Sequence, residues 1–421
     1  MSTNIVMPLI ERRFRALFLA LFAVFILFGT SITIIGATLP KILADFHWNY
    51  FVAGVVIGAS AVAYFVASFA AGYLIKYVGP KPSIFLGLLF EVVGLTFFAT
   101  TPDPFANTLL SALIGLGQGC IEVGVNSATL RIDTHSTGRP MNLMHGAFAV
   151  GAILGPLAVG ILVQSGLNWI LVYRGMALIF VLLFVMMWFI ELPKITHQAA
   201  HGDEAPERLS ANPAYWLSFV ALFFYVGVEL GVSNWVAEYF VAAFAYSAAA
   251  GALLVSLFWA GLLAGRFGVP LLYKGSRQDA VLVAFSILAT VSVAVLTLLG
   301  YIATNPITIG IAQGVVFLAG LGCSIYYPVV ITLLGKCFPH AQSQVIGFAA
   351  TGGGIGSFLF PFIMSAIAQN WGIRAGFATY ALFAIAMTVA GYGLASIAKS
   401  GKRPVAGKLA SAPASPTAIT D

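Results

Sequence analysis

The chain has 421 residues, of which 60% are hydrophobic and 8% charged, with a formal net charge of +6 and a mean hydropathy of +0.98. A soluble globular protein carries about 25% charged residues, so this composition excludes one and describes a polytopic membrane protein. The length accommodates about a dozen spans of ~20–25 residues with short loops and leaves no room for a catalytic domain outside the membrane.

In chain order, the N-terminal segment is basic at its end (Arg12, Arg13, Arg15). The apolar run over 16–39 is too long for the core of a cleaved signal peptide, so a retained first helix is expected. Lys41, Asp45 and His47 form a first loop, and further spans are expected at roughly 51–75, 82–99, 107–130, 140–164 and 169–190. The composition then breaks. Residues 191–212 contain Lys194, His197, His201, Asp203, Glu204, Glu207 and Arg208 together with Pro193 and Pro206, which reads as a solvated linker rather than a metal tract. Six more spans follow at roughly 215–241, 248–272, 280–303, 307–334, 345–369 and 377–398. The expected organisation is an N-terminal six-helix bundle over 1–190, a cytoplasmic linker over 191–212, a C-terminal six-helix bundle over 213–398 and a disordered tail over 399–421.

With a cytoplasmic N-terminus, only Lys41, Arg174 and Arg374 of the 20 Lys and Arg residues fall on the outer side. This bias predicts twelve spans with both termini cytoplasmic. It also places the positive charge at membrane loops rather than in a nucleic-acid surface. Cys120, Cys323 and Cys337 lie in or beside apolar segments without C-x-x-C spacing, so neither a disulfide framework nor a metal site is expected.

The two halves echo one another. Gly117-x-Gly119-Cys120 recurs as Gly320-x-Gly322-Cys323, and Gly151-x-x-x-Gly155 recurs as Gly352-x-x-x-Gly356. Each of the latter pair is followed by a Trp and an Arg: Trp169 and Arg174, then Trp371 and Arg374. A six-plus-six repeat follows.

Gln118, Glu122 and Asn126 recur at spacings of four inside the fourth span, which stacks them into one stripe on a helix. A carboxyl group in mid-membrane costs ~2.5–3.5 kcal/mol on insertion scales and usually faces a bundle interior or a watery cavity. Apolar surroundings favour the neutral form of a carboxyl, so Glu122 is a candidate proton-coupling group; its structural alternative is a hydrogen bond to a neighbouring helix. Asn126 divides evenly between a cavity role and helix–helix contact. Asn142 and His145 share a face at the start of span five, where His145 is either a proton relay or partner to Glu122, or a satisfied interfacial group.

Glu229 lies near the middle of span seven between Gly227 and Gly231, and is a second coupling candidate; Asn234 and Glu238 share a different face, nearer the outer side. Arg266 is expected to pair with an acid or a helix end as a gate, with binding of an anionic substrate as the alternative. Trp235, Trp259, Tyr326 and Tyr327 are candidate ring contacts, and Gln313 a further polar ligand, although most aromatics in such a chain are packing. Glu91 in span three has no partner visible in the sequence.

The loop Gly72-Tyr-Leu-Ile-Lys76-Tyr-Val-Gly79-Pro-Lys81 resembles the signature between spans two and three of the major facilitator superfamily, with Ile75 at the usual acidic position and Lys76 a gating candidate. Gly151-Ala-Ile-Leu-Gly155-Pro156 is similar to that superfamily's span-five motif. Within the superfamily, Gly119-Cys-Ile-Glu122-Val-Gly-Val-Asn126, the segment from Met141 to Gly151, and Tyr225-Val-Gly-Val-Glu229 with Trp235 resemble fucose-permease-like and related sugar transporters. Fucose permeases carry an acidic residue in span one, and residues 16–40 contain none.

The resemblance implies an all-α membrane protein of twelve helices in two pseudo-symmetric bundles. It further implies a polar, sugar-like substrate and a protonatable Glu122. The expected function is secondary transport by alternating access, driven by an ion gradient of protons and without a cofactor, in a bacterial inner membrane. The expected partners are a small solute and lipids around a monomer. The alternatives are an exporter of amphipathic compounds and a non-transporting sensor. No motif offers a nucleophile with a base, a phosphate cradle or metal ligands, so an enzyme is not expected.

Overall fold

A computed structural model describes residues 10–133, 139–192, 209–273, 277–302, 304–338 and 341–400. The described residues form helices without strands. The first half holds α1 (Arg15–Phe46), α2 (Tyr50–Val78), α3 (Pro80–Phe97), α4 (Pro104–Ile132), α5 (Arg139–Gln164) and α6 (Ile170–Trp188). The second holds α7 (Pro213–Phe244), α8 (Ala248–Leu272), α9 (Gln278–Leu299), α10 (Pro306–Cys323), α11 (Tyr326–Cys337) and α12 (Gln342–Ser400). Eleven stretches are long and apolar enough to cross a membrane, with α10 and α11 together making one of them. The longest divides at Gly372, whose φ of 83° is a left-handed conformation that glycine adopts without a Cβ penalty. The chain therefore crosses twelve times, and both ends of the described chain lie on one face. That face is called proximal here, and the face carrying the α1–α2 and α7–α8 loops distal. Most of the 191–212 linker and the 399–421 tail lies outside the described residues.

Within the first half α1 packs on α5, and α4 on α2 and α3; within the second, α7 and α9 pack on α12, and α10 on α8 and α9. The halves meet along α1–α7, α2–α12 and α5–α8. Small residues let the backbones close. A Cβ at Gly151 would fall on the Ile26 carbonyl of α1, and one at Gly352 on the Phe219 carbonyl of α7, so these two repeat positions seat equivalent helix pairs. The Gly117/Gly320 register is not equivalent in this way. Gly117 abuts α3 at Gly87, whereas Gly320 abuts α8 at Phe258, and it is Gly322 that meets α9 at Ala289.

Polar groups fix the distal face. Asn49, Asp103, Ser247 and Asn305 each accept a hydrogen bond from a backbone N–H in the first turn of the helix they precede, at 2.8–3.2 Å, a contact worth about 1 kcal/mol. The two arginines expected on this side serve helix C-termini. Arg174 Nη1 donates to the Leu95 carbonyl near the end of α3 (2.6 Å), while Arg374 donates to Gly300 after α9 and to Ala243 of α7 (3.1 Å for the latter). Lys41 pairs with Asp45 at 3.2 Å, and Trp169 Nε1 donates to Asp45 at 2.7 Å.

One crossing is discontinuous. Pro328 has no N–H and its ring crowds the carbonyl four residues back, which is Ser324; the helix is interrupted at Ser324 and Ile325, between α10 and α11.

Candidate functional site

A cavity of about 1360 Å³ lies between the halves. Its wall runs to Leu271, Tyr273 and Gln278 at the proximal ends of α8 and α9, where Leu271 and Tyr273 are exposed. The distal end is closed by contacts between the halves. Tyr50 Oη donates to Glu238 Oε1 at 3.0 Å, and Gln369 Oε1 accepts from the Tyr50 N–H at 3.1 Å. A Cβ on Gly36 of α1 would stand 2.7 Å from the Ser233 carbonyl and 2.8 Å from Asn234 Cα of α7. Ser256 of α8 donates to the Ile153 carbonyl of α5 at 2.8 Å, and Phe148 and Trp259 meet edge-on at 5.5 Å across the same seam.

The stripe of α4 lies on this wall: Gln118, Glu122 and Asn126 all line the cavity. Glu122 is half-buried and accepts a hydrogen bond from Tyr64 of α2. The expected partner, His145, also lines the cavity but sets its ring edge-on to Phe25 at 6.2 Å. The Asn126 Oδ1 and Ser68 Oγ atoms make no hydrogen bond to the described residues. The side chain of Asn142 lies outside the described residues.

The second half contributes Tyr225, Glu229, Asn234, Trp259, Arg266 and Tyr327. Arg266 Nη2 stands 3.6 Å from Glu229 Oε1, an ion pair too long to be a hydrogen bond. Its Nε reaches, at 3.4 Å, the Ser324 carbonyl that Pro328 leaves free. Arg266 thus links the intramembrane acid of α7 to the break between α10 and α11. Tyr225 Oη is buried without a hydrogen-bond partner among the described residues.

Four expected site residues lie elsewhere. Trp235 is fully buried and packs edge-on against Tyr50 at 6.0 Å, off the cavity wall. Tyr326 stacks on Tyr225 with ring centroids 5.0 Å apart and donates to the Met387 carbonyl at 2.7 Å, behind the wall. Gln313 Nε2 donates to Tyr246 Oη at 2.8 Å near the distal face. Lys76 is exposed in the last turn of α2 and makes no hydrogen bond or ion pair with the described residues. Its neighbour Lys81 instead donates to the Ile190 carbonyl beyond α6 at 3.0 Å. The sequence reading passed over Tyr64, Ser31 and Tyr50; Ser60, Tyr64 and Ser68 recur at spacings of four on α2 and all line the cavity, a signal that points to Tyr64.

The family model described as Major Facilitator Superfamily matches residues 21–317 and 280–420. The chain belongs to the Major Facilitator Superfamily. It is therefore an integral membrane transporter and not an enzyme. Among superfamily relatives it is 24% identical over 404 residues to Bypass of stop codon protein 6 of Saccharomyces cerevisiae, covering 85% of this chain and 78% of that one. It is 23% identical over 361 residues to a putative glucose/galactose transporter of Helicobacter pylori, covering 80% and 86%. The solved structure of the nucleoside transporter NupG superposes with a TM-score of 0.75 at 12% identity, covering 90% of this chain and 98% of that one, a likeness of fold. In superfamily terms the cavity lies where a solute would sit between two repeats, with access from the proximal side.

Proposed function

We propose that this transporter is a proton-coupled symporter of a small polyhydroxylated solute of the hexose class. It would act as a monomer in a bacterial inner membrane with the proximal face cytoplasmic. The observation that carries the reading is the pair of acids on one cavity wall, Glu122 from the first half and Glu229 from the second, each beside a tyrosine or an arginine and among amides. Amides and carboxyls read hydroxyl groups, and flat rings such as Trp259 and Tyr327 suit the apolar faces of a sugar. The Helicobacter pylori relative, named for glucose and galactose, supports the substrate class. Protonation of Glu122 would exchange its bond from Tyr64 and so link the proton to the facing state.

The test is uptake of D-glucose and D-galactose into proteoliposomes under an imposed proton gradient. Accumulation is expected in the wild type. Glu122→Gln is expected to lose gradient-driven accumulation while keeping sugar exchange; equal accumulation by the variant would overturn the coupling role. A second reading draws on Phe25, Phe28, Phe65 and Phe148, which give the cavity a large apolar wall suited to an amphipathic compound in export. Failure of both sugars together with proton-driven efflux of an amphipathic dye would favour that reading.

A further inference from the structure

Glu91 of α3 is fully buried and lies behind the cavity wall rather than on it. Ser31 of α1 stands between the two. Its Oγ is 2.9 and 3.0 Å from the two carboxyl oxygens of Glu91, and Gln118 Nε2 of α4 is 3.0 Å from the same Oγ. Ser31 and Gln118 both line the cavity. The three side chains therefore form a hydrogen-bonded line from the interior of the first half to the solute path.

The charged and titratable groups nearby are engaged elsewhere. Arg174 of α6 is held by the Leu95 carbonyl, Tyr173 of α6 by Thr38 at 2.7 Å, and Tyr64 of α2 by Glu122 on α4. Lys81 of α3 is held by Ile190, and on α1 Lys41 pairs with Asp45. On the α4 side Gly117 abuts Glu91, where a Cβ would stand 3.0 Å from its Cγ. Ser31 is thus the hydrogen-bond partner through which a change of charge on Glu91 is felt.

A serine hydroxyl has one proton to donate and two lone pairs, and an amide is an acceptor at one end and a donor at the other. With Glu91 ionised, Ser31 donates to the carboxylate and accepts from the Gln118 amide N–H, so Gln118 turns its carbonyl oxygen to the cavity. With Glu91 protonated, the carboxyl O–H donates to Ser31 Oγ. The Ser31 proton, released from the carboxylate, is then free to donate to Gln118 Oε1, and in that arrangement the amide turns over to present its NH₂ group instead. The only chemical change is one proton from solution bound to a carboxylate oxygen.

We propose that Glu91 is a proton-binding site that sets, through Ser31, whether Gln118 offers the solute path a hydrogen-bond acceptor or a donor. This rests on the cavity being the solute path. It makes a proton link distinct from Glu122, by which the same side chain favours one partner polarity before protonation and the opposite after it.

The test has two arms on the full-length protein in lipid. Infrared difference spectra across pH steps identify the carboxyl C=O band of Glu91 by its loss in Glu91→Gln. That band is expected to shift in Ser31→Ala and in Gln118→Leu, which keep the carboxyl but break the line. An unshifted band in both would overturn the proposal, and Ser31→Ala serves as the test even where Glu91→Gln does not fold. In the second arm, D-galactose binding is followed by tryptophan fluorescence over the same pH range. With Glu122→Gln present in both proteins to remove the other proton site, its affinity is expected to change by about tenfold where Ser31 is intact, the size of one hydrogen bond gained or lost, and by less than about twofold where Ser31→Ala is added. Equal pH dependence in the two proteins would overturn the link. If D-galactose does not bind the wild type, the hexose reading falls and the infrared arm alone decides the role of Glu91.

Discussion

Tyr50 of α2 donates a 3.0 Å hydrogen bond to Glu238 of α7, and this bond joins the two halves on the face where the cavity is closed. Both residues must part if the solute path is to open there. A hydrogen bond to an acid contributes about 1.5 kcal/mol, so Tyr50→Phe is expected to move the population toward the distally open state by about tenfold. Spin labels at the exposed positions Thr101 and Thr304, one on each half at the distal face, should report a longer distance component in the variant. An unchanged distance distribution would show that the bond does not hold the gate.

Gly36 makes a stronger demand, because its neighbours are backbone atoms of Ser233 and Asn234 that cannot turn aside. Gly36→Val is expected to prevent close approach of α1 and α7 and to hold the distal face open. Alkylation of a cysteine placed at Asn234 from the distal side should become faster in that background. Gly72, which has open space around it, should accept alanine with no such effect.

The Arg266–Glu229 pair sits with both side chains largely removed from water, at 25% and 9% exposure. Removing one partner of such a pair leaves a charge without compensation, which is costlier than losing the pair. Arg266→Ala is expected to lower stability by roughly 2–3 kcal/mol, a figure reduced for the exposure of the arginine. Adding Glu229→Gln to that variant should restore most of the loss. Thermal unfolding in detergent across the four proteins measures the coupling; simple additivity of the two changes would show that the charges do not interact.

Arg174 and Arg374 occupy related places but carry unequal loads. Arg174 satisfies the carbonyl of Leu95, whereas Arg374 satisfies those of Gly300 and Ala243 and so ties α9 to α7. Arg374→Ala is expected to destabilise by roughly 2–4 kcal/mol and Arg174→Ala by about half as much. Equal shifts in unfolding temperature would contradict this ranking.

The features legible in the sequence are those with a period or a bulk composition. The twelve crossings follow from apolar length, and the placement of Gln118, Glu122 and Asn126 on one wall follows from a spacing of four. The pairing of Arg266 with an acid follows from the cost of a lone charge. Contacts set by how one helix rolls against another were not legible. Tyr64 lies 58 residues from Glu122 and Ser31 lies 60 from Glu91, so although Ser60, Tyr64 and Ser68 form a stripe on α2, no spacing within one helix pairs either residue with its acid. The misplaced aromatics have a common reason. Successive residues on a helix point about 100° apart, so Asn234 facing the cavity turns Trp235 away, and Tyr327 facing it turns Tyr326 toward Met387.

The interruption at Ser324 and Ile325 makes the two halves mechanically unequal. In the first half α4 runs without a break from Pro104 to Ile132, whereas its repeat partner is two shorter rods meeting at a joint that Pro328 imposes and Arg266 braces. Closure of the proximal mouth is then expected to draw on a swing of α11 about that joint, beside the Arg266–Glu229 pair, more than on any bend of α4.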